Sequence, residues 1–110
     1  MLRLAACVVV VGLAGGVSAA AQDAAAKGEA VFAAQKCALC HSVADKGNKK
    51  GPLEEAVAKL PADEIRAWIT DAKGMTAKTK ATRKPAMKEF TLAKDDVDAL
   101  VAYLSSIKKK

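Results

Sequence analysis

A chain of 110 residues with a formal net charge of +6 and only 4% aromatic residues has room for one domain and no second. Its aromatics are Phe32, Trp68, Phe90 and Tyr103, and a domain this short buries a modest fraction of its surface, so it needs a staple or a cofactor to hold its core. The basic segments carry no interleaved aromatic residues, which argues against nucleic acid as a partner.

The first segment reads as a leader. Met1-Leu2-Arg3 is a short positive start, residues 4–17 are apolar and rich in Val, Ala and Gly, and Ser18-Ala19-Ala20-Ala21 supplies the small residues that a signal peptidase requires. Cleavage before Gln22 would remove residues 1–21 and leave a domain of residues 22–110, exported to the periplasm. The competing reading is an uncleaved anchor, since the apolar run approaches the length of a membrane span; the glycines and the small-residue exit favour cleavage and no stable membrane insertion afterwards. Cys7 sits in a Leu-Ala-Ala-Cys context, but six residues upstream leave no space for the apolar region that a lipidated cysteine needs.

Asp23 is placed to cap a first helix running to about residue 36, with Gly28, Val31 and Phe32 on one face. Directly after it stands Cys37-Ala38-Leu39-Cys40-His41. C-x-x-C-H is the attachment motif for c-type haem: two thiols can each form a thioether to a porphyrin vinyl group, and the next histidine is held where it can bind iron axially. A thioredoxin-like dithiol would need a βαβ pattern, which is absent here. Structural zinc would need a fourth ligand beyond Cys37, Cys40 and His41, and no second cluster stands at a suitable spacing.

No segment alternates as a strand would. Leu53, Ala56, Val57 and Leu60 mark a short second helix, and Pro61 can occupy the first turn of a third. Ile65, Trp68, Ile69 and Ala72 form that third helix's apolar face, with Gly74 as its stop. A last helix over about 94–107 carries Val97, Leu100, Val101 and Leu104 on its face, with Asp95 and Asp96 in its first turn. Two polar connections remain, 42–52 and 75–93, both long enough to be functional loops.

These residues together resemble a class I c-type cytochrome, a small monohaem bacterial cytochrome c, over nearly all of residues 22–110. The resemblance rests on Cys37 to His41 after the first helix, on Gly51-Pro52-Leu53, on Gly28 with Phe32 against Leu100 with Tyr103, and on Met87 in Lys84-Pro85-Ala86-Met87, sixteen residues before Tyr103. It implies an all-α fold, about four helices wrapped around one haem c bound covalently through Cys37 and Cys40. It implies that the Pro52 carbonyl accepts a hydrogen bond from the axial His41, that Gly28 allows the first and last helices to cross closely, and that Trp68 packs near a haem propionate. An ordinary core position is the other reading of Trp68. His41 is the only histidine, so the sixth ligand must come from the second half of the chain, and the resemblance implies Met87, which stands where the family places its axial methionine; Met75 is the competitor, a deprotonated lysine is the costlier alternative, and Met87 packing on the haem rim without binding is also open. Ala93 stands where Ser or Thr often caps the last helix, so Thr91 is the substitute cap.

Residues 73–88 carry Lys73, Lys78, Lys80, Arg83, Lys84 and Lys88 and no acid, and without Arg3 the remaining 17 basic and 12 acidic residues leave +5. Such a rim would steer acidic redox proteins into short-lived complexes. The expected function is one-electron transfer by a monomeric periplasmic carrier with His41/Met87 ligation, without enzymatic activity. Two alternatives stand beside it: a fixed haem subunit of a respiratory dehydrogenase or oxidase complex, and a haem protein whose open sixth site binds small ligands or activates peroxide.

Overall fold

The protein is described by a computed structural model covering residue 12 and residues 19–108. Most of the expected leader, Cys7 included, lies outside the described residues; Ala19 to Ala21 form the first turn of a helix. No helix among the described residues is long and apolar enough to cross a membrane.

Five α-helices and one short hairpin follow in chain order: α1 (Ala19–Ala34), β1 (Ser42–Val43), β2 (Lys46–Gly47), α2 (Leu53–Ala56), α3 (Ala62–Thr70), α4 (Ala72–Thr79) and α5 (Lys94–Ser106). The architecture is the expected small, cytochrome c-like all-α fold. The core gathers Phe32 of α1, Leu53 of α2, Val57, Ile65 and Ile69 of α3, and Val97, Leu100, Val101 and Leu104 of α5. These are the periodic positions of the sequence, because residues three and four apart share one helix face.

The contact between α1 and α5 organises the molecule. Gly28 is buried at the crossing, where a Cβ would fall 2.6 Å from Tyr103 Cβ and overlap the Ala99 carbonyl. The missing side chain lets the two backbones approach, and one turn away Phe32 meets Tyr103 edge to face at 5.7 Å between centroids. Such a ring pair adds about 0.5–1.5 kcal/mol beyond its buried area. Arg66 of α3 then reaches Asp98 of α5 at 2.6 Å, and Lys94 holds the same carboxylate at 2.8 Å.

Several local expectations are corrected. Gly74 does not end the third helix: α3 stops at Thr70, where Asp71 leaves helical geometry (φ −141°, ψ 51°). The Asp71 carboxylate then accepts from the Gly74 amide at 3.2 Å, capping α4, so the expected connection 75–93 begins inside a helix, whose last five residues are 75–79. Pro61 is the residue before α3 rather than in its first turn, with extended backbone (ψ 161°). Ala93 occupies the cap of α5 with no side-chain bond, and Thr91 does not replace it. Connection 42–52 contains the antiparallel pair Val43–Lys46 closed by Ala44 and Asp45, both at positive φ (50° and 62°). Two-residue turns of this hand suit a twisted hairpin, but Ala44 carries no turn signature and two-residue strands are too short to alternate legibly.

Candidate haem site

The end of α1 delivers the site. Lys36 turns left-handed (φ 58°) and Cys37–Leu39 form a single 3-10 turn, so Cys37, Cys40 and His41 emerge together just past the helix. The turn is closed by backbone bonds from the amides of Cys40 and His41 to the Cys37 carbonyl, at 3.1 and 3.0 Å. The Asn48 amide bonds the carbonyls of Ala38 and His41, and its side chain donates to Leu39 O at 3.1 Å. The hairpin thus grips the motif from the far side.

Both cysteines are free thiols; Cys37 is half-buried against the core and Cys40 is exposed. Burial pushes the Cys37 thiol pKa up, its own backbone bond and the charge of Lys88 opposing the rise. Leu39, between the thiols, is 72% exposed, so the side of the turn that carries Cys40 is open to a group approaching from outside.

His41 Nδ1 lies 3.3 Å from the Gly51 carbonyl. A carbonyl only accepts, so Nδ1 carries the proton and Nε2 keeps its lone pair, which is the tautomer an axial ligand needs. Burial lowers the His41 pKa; the Gly51 bond opposes this and the Arg83 charge adds to it, so the neutral imidazole is favoured. The expected acceptor was the Pro52 carbonyl, and the structure places the bond one residue earlier. Pro52 precedes α2 and its carbonyl accepts from the Ala56 amide at 3.3 Å, whereas Gly51 O points back to the motif and also takes the Ser42 amide at 2.9 Å.

The other expected residues lie on separate elements. Met87 is half-buried in the segment after α4 and borders an open cleft of about 460 Å³ with Thr76, Ala77, Ala86 and Glu89. Met75 is 7% exposed inside α4 and does not line that cleft. Trp68 is half-buried on α3 between Ile65 and Ile69. Arg83, which the sequence presents only as one more charge in a basic run, donates from Nη2 to the Cys40 carbonyl at 2.5 Å across 43 positions of chain.

Two unpaired thiols, an imidazole with its Nδ1 engaged and its Nε2 available, and an open approach make a donor set that fits a covalently attached haem. The family model for cytochrome c matches residues 25–108. The chain belongs to the cytochrome c family, whose members carry covalently attached haem c and serve haem-based electron transfer. No curated protein and no solved structure gave a match to the chain. The bound group supplies a one-electron ferric/ferrous couple. Within that frame Cys37 and Cys40 are the attachment thiols, and Gly51 fixes the His41 ring through Nδ1.

Proposed function

We propose that the protein is a periplasmic one-electron carrier in which His41 and Met87 ligate the haem iron, Cys37 and Cys40 having anchored the porphyrin. The observation that carries this reading is the His41 Nδ1–Gly51 contact, which commits one ring nitrogen to the protein and leaves the other to the metal. Met87 is the sixth ligand in this reading because it stands half-buried on a cleft, while Met75 is packed inside a helix. A thioether is a soft neutral ligand that favours ferrous iron. Trp68, whose indole N–H has no hydrogen-bond partner among the described residues, is suited to a carboxylate such as a haem propionate. The lysine-rich segment around Met87 steers acidic redox proteins.

The test is the absorption spectrum of ferric protein recovered from a periplasmic extract, for the native chain and Met87→Ala. The expected protein has the mass of residues 22–110 plus haem, and a low-spin spectrum whose sulfur-to-iron charge-transfer band disappears in the variant. A high-spin native spectrum, or a band that survives the substitution, would overturn Met87 as the ligand. Protein retaining residues 1–21 would overturn cleavage before Gln22.

A further inference from the structure

Arg83 is the residue whose placement the function above does not use. It lies in the exposed segment after α4, yet its guanidinium reaches the far half of the site. Nη2 donates to the Cys40 carbonyl at 2.5 Å, and the guanidinium lies over Gly51, whose Cβ, if it had one, would be 3.0 Å from Arg83 Cζ and overlap Nη1. Gly51 is the residue whose carbonyl holds His41. Glycine at 51 therefore leaves the space that Arg83 occupies, and one side chain touches both the attachment turn and the backbone that orients the imidazole.

The segment that carries Met87 has few other ties. Among the described residues its start is fixed by the Ala81 amide on Thr76 O at 3.1 Å, and its end by Glu89 on the Lys73 amide at 3.3 Å and the Phe90 amide on Ile69 O at 3.1 Å. Between those points, Arg83 supplies the hydrogen bond to the rest of the fold.

We propose that Arg83 is a positioning residue that clasps the Met87 segment onto the Cys37–His41 turn and holds a fixed positive charge beside the backbone that orients His41. A charge-assisted hydrogen bond of this kind is stronger than a neutral one, and losing it frees the segment to swing. The guanidinium stays protonated throughout, so it exchanges no proton when the iron gains its one electron from a donor protein. It favours the ferrous form because adding an electron next to a fixed cation is favourable, an effect that solvent and salt reduce but do not abolish.

This inference rests on His41 as axial ligand and Met87 as sixth ligand, and its test separates the two levels. Ferric haem-loaded protein is titrated with imidazole, which competes for the sixth position, and the midpoint potential is measured at low and high salt for native, Arg83→Gln and Arg83→Lys chains. Arg83→Gln is expected to bind imidazole about threefold to tenfold more tightly, because the open form is more populated. Its ferrous-to-ferric ratio at a fixed ambient potential is expected to fall about threefold at low salt and less at high salt. Arg83→Lys keeps the charge without the planar fork, so it should recover the ratio and not the imidazole affinity. Native values in Arg83→Gln for both readouts, or an Arg83→Lys ratio no better than that of Arg83→Gln, would overturn the proposal. If Met87→Ala kept the native spectrum, the ligand assignment would fail on its own evidence. The potentials of the Arg83 variants would still decide whether the charge acts.

Discussion

Gly28 concentrates the fold's demand on a single residue. A methyl group there meets the Ala99 carbonyl and Tyr103 Cβ, both belonging to α5, and neither is the far end of a flexible side chain. Relief requires the two helices to separate, which loosens the Phe32–Tyr103 pair and the Val97, Leu100 and Val101 contacts behind it. Gly28→Ala should therefore destabilise the protein by about 1–3 kcal/mol, the usual cost of overpacking, even though alanine is the better helix former. Thermal unfolding of the haem-loaded protein checks it: a domain of this size loses roughly 4–8 °C per kcal/mol, and an unchanged or raised midpoint would contradict the close crossing. The demand was legible in sequence because glycine inside an amphipathic run is costly unless something needs the space. The acceptor for His41 was not legible to one residue. Gly51 and Pro52 both offer carbonyls, and which one faces the imidazole depends on how the chain enters α2.

At the scale of elements, the apolar periodicity of α1, α3 and α5 told their burial in advance, because side chains of large volume at three- and four-residue spacing have one place to go. Helix α4 was hidden for the opposite reason. Its residues Lys73, Gly74, Thr76, Lys78 and Thr79 are polar or weak helix formers, and it buries only Ala72 and Met75. What secures it is the Asp71 cap at its start and the burial of Ala72 and Met75, while the Thr76 and Thr79 hydroxyls satisfy themselves on the Ala72 and Met75 carbonyls at 2.7 and 2.8 Å. The start of α5 shows the reverse situation, a helix secured by its core face with an unused cap. Ala93 has the extended backbone of a cap (φ −59°, ψ 148°), and its carbonyl accepts from the Asp96 and Val97 amides, but it has no side-chain oxygen to offer the amides of the first turn. Serine at this position would supply the missing acceptor with little change in volume. Ala93→Ser should stabilise the protein by about 1 kcal/mol, read as a higher denaturant midpoint at unchanged slope; no gain would mean that water already satisfies those amides as well as a hydroxyl does.

On the whole molecule the charge is lopsided. Residues 73–88 hold six basic side chains with no acid, and all six are solvent-exposed, while Asp45, Glu54 and Glu55 line a second cleft beside the hairpin and α2. Lys46, Lys49 and Lys50 stand exposed in the same stretch as those acids, so the run of positive charge without an acid is the segment that carries Met87. The field can be tested before any natural partner is identified, by oxidising the ferrous protein with ferricyanide, an anion, and with a tris-phenanthroline cobalt(III) cation. Electrostatic steering predicts that the second-order rate with the anion falls as salt is added and the rate with the cation rises, because the Debye length shrinks from about 30 Å at 0.01 M to about 10 Å at 0.1 M. Net charge alone would produce some of this, so the variant decides the location. Lys78→Glu with Lys84→Glu removes charge from this segment, and a second pair, Lys49→Glu with Lys50→Glu, changes net charge equally in the hairpin-side loop. If the exposed edge that passes the electron lies under residues 73–88, the first pair should flatten the ferricyanide slope more than the second. Equal flattening would mean that the oxidant responds to total charge, and the basic segment would then be a solvated loop without a steering role.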